Sequence, residues 1–368
     1  MTKVLITGGG GFIGRHVAEE LLEAGHEVVL YDAMIDQVHA GTEVKLPEGA
    51  RLVRGDMREA EKLEGALKGC EAVLHLAAEV GVGQSMYEIA RYVGANDLGT
   101  AVLLEAIAKH PVKKLVVASS MSVYGEGYYR TPSGQVNETV RRNVADLRAG
   151  RWEPVTENGV ALIPVATTES KRVDLASIYA LTKYQQEQAV LIFGKAYDIP
   201  SVALRLFNVF GAGQALSNPY TGVLANFASR IANGQAPTIF EDGEQKRDFV
   251  HVRDVARAFR LALESDAAAG HVINVGSGNA YTISDVARLL AKAMDAEHLQ
   301  PEILGKFRAG DIRNCFADIG KARALLSFEP QHRLEDSLGP FVDWVRQSPS
   351  TDNGSRMRQQ LEERGLVT

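Results

Sequence analysis

The stretch Val4-Leu-Ile-Thr-Gly8-Gly-Gly-Gly11-Phe-Ile-Gly14-Arg15-His16 decides how the chain is read. A short apolar run suited to a buried strand passes directly into glycines spaced Gly8-x-x-Gly11-x-x-Gly14, and a helical stretch, Arg15–Ala24, follows. A turn this tight needs residues without Cβ, and a pyrophosphate must approach such a backbone closely. The helix start then offers free N–H groups and a partial positive charge to the phosphates. Gly14 lets the helix pack close to the strand. The glycines alone would equally describe an ordinary flexible turn. Their context argues otherwise, because Asp32 closes the next strand, where a carboxylate accepts hydrogen bonds from the adenosine ribose hydroxyls. That carboxylate would repel a 2′-phosphate, so the reading is NAD rather than NADP. Asp56, in Arg54-Gly-Asp56-Met57 after the following strand, is placed to reach the adenine, although a bare Gly-Asp turn would look the same.

Outward from this turn, short apolar strands alternate with amphipathic helices. Strands are expected at Val4–Thr7, Glu27–Tyr31, Arg51–Arg54, Ala72–Leu76, Lys114–Ala118 and Ser201–Arg205. Helices are expected at Arg15–Ala24, Glu59–Lys68, Asn96–Lys109 and Ile178–Phe193. This order implies an α/β fold, with a parallel sheet covered by helices on both faces. After Leu206 the rhythm changes. Strands at Pro237–Phe240, Phe249–Val252 and Val272–Val275, with helices at Val252–Leu263 and Thr282–Met294, suggest a smaller C-terminal lobe. The expected division is a dinucleotide-binding domain at 1–207 and 238–275, and a lobe at 208–237 and 276–347. Residues 348–368 form a polar tail, read as frayed or as a late helix. Gly125–Leu175 shows no convincing period, and a stretch that long is usually functional or a mobile cover.

The 368 residues carry a formal net charge of −6 with no block of like charge, which argues against a nucleic-acid partner. Cys70 and Cys315 lie far apart and form no metal-ligand spacing, so two reduced thiols are expected. Met1 and Thr2 lead directly into the first strand, and no apolar run approaches the roughly 20 residues that span a bilayer. The expectation is a soluble, cytoplasmic protein without a membrane partner.

Tyr179-Ala-Leu-Thr-Lys183 places a phenol and an ammonium one helical turn apart on one face. A positive charge roughly 5 Å away, at an effective dielectric near 20, is worth about 3 kcal/mol, or roughly two pKa units. Tyr179 is therefore a candidate general base near neutrality. Tyr and Lys at this spacing also occur on many solvated helices. Here the helix follows the strand Lys114–Ala118 and the hydroxyl cluster Ser119-Ser120-Met121-Ser122, which sits where ligands bind in open α/β folds.

At this point the chain resembles, over nearly its whole length, the extended short-chain dehydrogenase/reductase superfamily of nucleotide-sugar epimerases and dehydratases. The matching elements are Thr7–Gly14, Asp32, Gly55-Asp56, His75–Ala78, Asn96, Ser119-Ser120, Val123–Gly125, Tyr179 with Lys183, Arg205–Gly211, Arg247–Val252 and Asp311–Arg313. The resemblance implies a Rossmann-type doubly wound parallel sheet with a smaller C-terminal α/β substrate lobe, and a bound NAD. It implies that Tyr179 is the base, that Lys183 holds the nicotinamide ribose, and that Ser120 binds the reacting sugar oxygen. Ser122 occupies a second hydroxyl position. The implied cofactor contacts are Gly8, Gly11, Phe12, Ile13, Gly14, Asp32, Asp56, Met57, Leu76, Ala77, Ala78, Asn96, Ser119, Tyr179, Lys183 and Val209. Asn208, Arg247 and Arg313 look like contacts to a nucleotide diphosphate, where two arginines make physical sense. A surface ion pair is the alternative for each arginine.

In the sugar dehydratases of this superfamily the catalytic hydroxyl residue is followed by Asp-Glu. Here Met121-Ser122 follow Ser120 and cannot perform that elimination, so oxidation and re-reduction of one carbinol remains. His75–Ile89 and Ala149-Gly-Arg-Trp152-Glu-Pro154 look like the dTDP-L-rhamnose 4-epimerases, which also carry an extended segment before the catalytic tyrosine. Many of those proteins have paired cysteines there; Val155–Gly159 has none, so no metal is expected. Val82 and Gln84 are expected to face the sugar, or to be plain loop residues. A one-way 4-keto reductase or dehydrogenase, an epimerase of a UDP-sugar, and a non-catalytic NAD-binding regulator are the competing readings. A homodimer through the helices Asn96–Lys109 and Ile178–Phe193 is expected from the resemblance, although their apolar residues could equally be core.

Overall fold

The computed structural model describes residues 1–39, 45–137, 139–218, 220, 222–308, 310–348 and 354–367. Seven parallel strands form the central sheet: β1 (Lys3–Thr7), β2 (Glu27–Asp32), β3 (Arg51–Arg54), β4 (Ala72–His75), β5 (Lys114–Ser120), β6 (Ser201–Leu206) and β7 (Val272–Val275). Their order is β7-β6-β5-β4-β1-β2-β3. The helices are α1 (Phe12–Glu23), α2 (Ala60–Leu67), α3 (Gly99–Lys109), α4 (Ile178–Tyr197) and α5 (Val252–Glu264).

The strands are apolar on both sides because both faces are covered. Val4 and Ile6 of β1, Val116 and Ala118 of β5, and Val202 and Leu204 of β6 pack with α1 and α5. The alternate residues Leu5, Leu115, Val117 and Ala203 pack with α2, α3 and α4. The two-residue period of a strand thus distributes one sequence run between two cores. β1 pairs with β2 on one side and with β4 on the other, so the chain reverses its direction of winding there. The crevice at the carboxyl ends of β1 and β4 is where this topology leaves room for a ligand.

Residues 125–175 are built from pieces too short to show a period. Tyr128–Arg130 pairs antiparallel with Val136–Asn137 and with Ile163–Val165, and Val144–Arg148 forms a short helix. In the C-terminal part, the helices Val223–Ala232, Ile283–Ala293 and Leu334–Gln347 share a core with Phe210, Phe227 and Phe341. That core also takes in Ile239 and Phe249, so the span 238–275 contributes to the lobe as well as to the sheet. The expected strand at 237–240 is only Thr238–Ile239, paired with Glu302–Ile303. The polar tail contains a helix, Gly354–Glu363, with Leu361 buried. Cys70 and Cys315 are free and buried, and no helix among the described residues is long and apolar enough to cross a membrane.

Candidate active site

A cavity of about 790 Å³ opens at the carboxyl ends of the strands. Its floor is the glycine turn, whose close packing leaves no space for side chains. Gly8 has φ +69°, and a Cβ there would lie 2.8 Å from the Ala77 nitrogen. A Cβ on Gly14 would lie 2.3 Å from the Gly8 carbonyl oxygen. Phe12 and Ile13 start α1 and line the cavity with Gly8, Gly11 and Gly14. Asp32 accepts from the Gly10 N–H at 2.9 Å and from the Met34 N–H at 2.8 Å. Burial works against its charge, but bonds from His39, Met34 and Gly10 hold it below the usual carboxylate range. A charged carboxylate keeps further lone pairs for a ribose. Asp56 and Met57 lie at the rim; the Asp56 carboxylate is forked onto Arg58 at 2.8 and 2.7 Å. Leu76, Ala77, Ala78 and Val209 complete the walls, with Val82.

The glycine cradle, the helix start and the ionised Asp32 fit a dinucleotide. Asn208 and Gln214 line the cavity, and the buried oxygens of their side chains, Oδ1 and Oε1, have no partner among the described residues. Buried polar atoms are normally satisfied, so these two point to a polar ligand.

Ser119, Ser120, Ser122, Tyr179 and Lys183 meet on one side of this cavity. Ser177 caps α4 by accepting the Ala180 N–H at 3.1 Å, which sets Tyr179 in the first turn and Lys183 one turn on. The Tyr179 N–H donates to Ser85 Oγ at 3.0 Å. Ser120 Oγ accepts from the Ser122 N–H at 3.2 Å and the Ser122 hydroxyl at 3.0 Å. That leaves its own hydrogen to donate. Ser119 donates to Glu187 Oε2 at 2.6 Å, and Arg205 grips Glu187 at 2.8 and 2.7 Å, a fully buried fork beneath the site.

Lys183 is expected to depress the Tyr179 phenol, and two effects of the fold act on the same group. Burial is the larger effect and pushes the phenol above its ordinary value, while the hydrogen bond with Ser120 works the other way. Lys183 is itself buried, which pushes its ammonium down to about 7 despite the nearby Glu187. Its Nζ donates to Gln186 Oε1 at 2.7 Å. Gln186 in turn donates to Thr100 Oγ1 at 3.0 Å and the Ala77 carbonyl at 3.2 Å. His75, neutral because burial and then Lys183 push it down to about 3, joins Thr7 at 2.7 Å and Thr100 at 2.9 Å. A buried polar chain thus ties the ends of β1 and β4 to α3 and α4 and aims the lysine. Sequence reasoning missed Gln186, although it follows Lys183 by three residues on the same helical face.

Four expected contact residues do not line the cavity. Asn96 sits in a π-helical turn, Val93–Leu98, before α3. Its amide accepts from the Glu79 N–H at 2.7 Å and donates to Thr182 Oγ1 at 2.9 Å, tying the loop after β4 to α4. Gln84 is buried and accepts from Gln37 at 2.9 Å. Arg247 donates to the carbonyls of Lys246, Arg313 and Ile312. Arg313 is 1 % exposed and shared among Glu153, Glu241 and Asp242. In this arrangement its guanidinium is held by carboxylates of the 125–175 segment and of the lobe. Arg15 was overlooked; it lines the cavity beside the helix start and donates to the Gly213 carbonyl at 3.0 Å.

Comparison with known proteins agrees with this geometry. The family model described as the NAD dependent epimerase/dehydratase family matches residues 4–146 and 157–276. A dTDP-L-rhamnose 4-epimerase of Burkholderia thailandensis is 35% identical over 357 residues, covering 95% of this chain and 97% of that protein. The UDP-N-acetylglucosamine 4-epimerase of Methanobrevibacter ruminantium, solved with UDP-N-acetylmuramic acid, superposes with a TM-score of 0.77 at 31% identity, covering 94% and 99% of the two chains. The UDP-glucuronic acid 4-epimerase of Bacillus cereus, solved with UDP-glucuronic acid and NAD, gives 0.77 at 28% identity over 94% and 99%. This chain belongs to the NAD-dependent epimerase/dehydratase family.

Proposed function

We propose that the chain inverts C4 of a nucleotide sugar, with a dTDP-linked 6-deoxyhexose such as dTDP-L-rhamnose as substrate. The observation that carries this is the meeting of Ser120, Tyr179 and Lys183 in the cavity above the glycine turn, with Met121-Ser122 where an eliminating acid and base would stand. NAD held by the glycine turn and Asp32 would supply a hydride acceptor and a positive charge. Tyr179 takes the proton of the sugar hydroxyl, and Ser120 donates its free hydrogen to the same oxygen. Lys183, held by Gln186, would bind the nicotinamide ribose, and its positive charge favours Tyr179 as the phenolate that accepts this proton. Once the keto sugar has turned over to offer its other face for re-reduction, Tyr179 gives back the proton. No outside oxidant is consumed.

The Burkholderia relative supports the dTDP-sugar. The UDP-sugar complexes of the structural relatives support the second reading, a UDP-sugar 4-epimerase. The protein is proposed to work in the cytoplasm as a homodimer through α3 and α4 and the turn before α3. Leu98, Leu181 and Ile192 leave 53%, 43% and 66% of their surface exposed on those elements. The decisive test incubates purified protein with a panel of dTDP- and UDP-sugars, with no added cofactor, and separates the stereoisomers. Tyr179→Phe should abolish conversion and retain NAD. Activity that appears only with added NADPH rejects the epimerase reading, and unchanged turnover in the variant rejects Tyr179 as base.

A further inference from the structure

The C-terminal helix Gly354–Glu363 and the residues after it join the loop that follows β4 to the C-terminal lobe. On the sheet side, Leu361, 2 % exposed, covers Gly83; a Cβ on that glycine would meet the leucine methyl at 3.3 Å. Gly83 belongs to the one-turn helix Val82–Ser85, whose first residue lines the cavity. Its last residue, Ser85, accepts the Tyr179 N–H at 3.0 Å and donates to the Val82 carbonyl at 2.7 Å. On the lobe side, Glu362 pairs with Lys306 at 2.8 Å, and Val367 forms a β-bridge with Arg308. Between the two, Gln360 Oε1 accepts from the Tyr220 hydroxyl at 3.0 Å and the Tyr87 hydroxyl at 3.4 Å. The two hydroxyls are 2.5 Å apart, so one tyrosine from each side is held at the same amide. Tyr220 lines the cavity and lies over Gly81, whose added Cβ would come within 2.9 Å of it.

We propose that this C-terminal helix is a clasp that braces the Val82 and Tyr220 wall of the cavity from behind, with Gln360 and Leu361 as positioning residues. Leu361 holds the Val82–Ser85 turn down, and Gln360 fixes Tyr220 against it. Through Ser85 the same turn receives the helix that carries Tyr179. The clasp does not reach the glycine turn, so it positions the sugar and leaves dinucleotide binding alone. Only the kinetic arm of its test rests on the nucleotide-sugar reading.

The test compares the full chain with a chain ending at Ser348 and with Leu361→Asp and Gln360→Ala. Backbone hydrogen exchange at Gly81–Tyr87 is expected to quicken about tenfold or more in the first two, because the turn loses its cover. KM for the nucleotide sugar should rise about tenfold with kcat within about threefold, since a slackened wall loses binding made equally in the ground and transition states. Bound NAD per chain should be unchanged. Gln360→Ala keeps the buried leucine, so it folds even where the shortened chain does not, and its KM should still rise about threefold. Unchanged exchange at Gly81–Tyr87 overturns the proposal. So does quickened exchange with KM unchanged, which would make the tail a packing element only. If the full chain converts no nucleotide sugar, the function reading fails, while the exchange measurement still decides whether the clasp holds the turn.

Discussion

Lys183→Met should alter stability in a way that depends on pH with a calculable sign. Burial pushes the Lys183 ammonium from its ordinary 10.5 down to about 7. The folded value lies below the unfolded one, so between about pH 7 and 10.5 the unfolded chain holds the extra proton, and this group's contribution to stability rises with pH. At about 1.36 kcal/mol per pH unit, keeping the side chain inside the fold costs about 5 kcal/mol at pH 6 and about 2 kcal/mol at pH 9. Methionine fills a similar volume without charge. It also strips Gln186 Oε1 of its donor, a penalty of about 1–3 kcal/mol that does not depend on pH. The stability of the variant relative to the parent should therefore fall by about 3 kcal/mol between pH 6 and pH 9. Urea unfolding of both NAD-free proteins at the two pH values measures this directly, since His75, the neighbour that Lys183 pushes down, lies at about 3, well below both pH values. A difference that stays constant within about 0.5 kcal/mol would refute the reasoning, and would mean that the buried lysine is solvated or paired at no cost.

Two further substitutions test how the cavity is walled. Gly14→Ala puts a Cβ 2.3 Å from the Gly8 carbonyl oxygen, and both partners are backbone, so the turn must retreat by about an ångström; NAD affinity should drop about thirtyfold or more. Gly65→Ala, whose Cβ meets nothing within 4 Å inside α2, should raise stability by up to about 1 kcal/mol and serves as the control. Glu153→Gln separates the two roles considered for Arg313: an anchor for the 125–175 segment predicts an unchanged KM and a small loss of thermal stability, whereas a diphosphate contact masked by Glu153 predicts a lower KM. Arg313→Met should destabilise by about 3–5 kcal/mol in urea melts, because Glu241, 0 % exposed, loses one of its two cationic partners.

The amino-acid sequence by itself determined the sheet, the glycine turn and the face shared by Tyr179 and Lys183, because each is written in neighbouring residues. Two-residue alternation places Val4 and Leu5 on opposite cores, the Gly8, Gly11 and Gly14 spacing exists only where backbones touch, and four residues along one helix put Lys183 beside Tyr179. Tertiary structure alone decided what the isolated polar side chains face. Arg313 and Glu153 are 160 residues apart, and nothing local distinguishes an arginine aimed at phosphate from one bound by carboxylates. Asn96 and Gln84 carry suitable chemistry for a ligand but are turned inward by Glu79, Thr182 and Gln37. The 125–175 segment, made of strands of two or three residues, has no period to read until its partners come together. The burial that raises the Tyr179 phenol is likewise a property of the whole fold, whereas the spacing of Tyr179 and Lys183 is legible in the sequence.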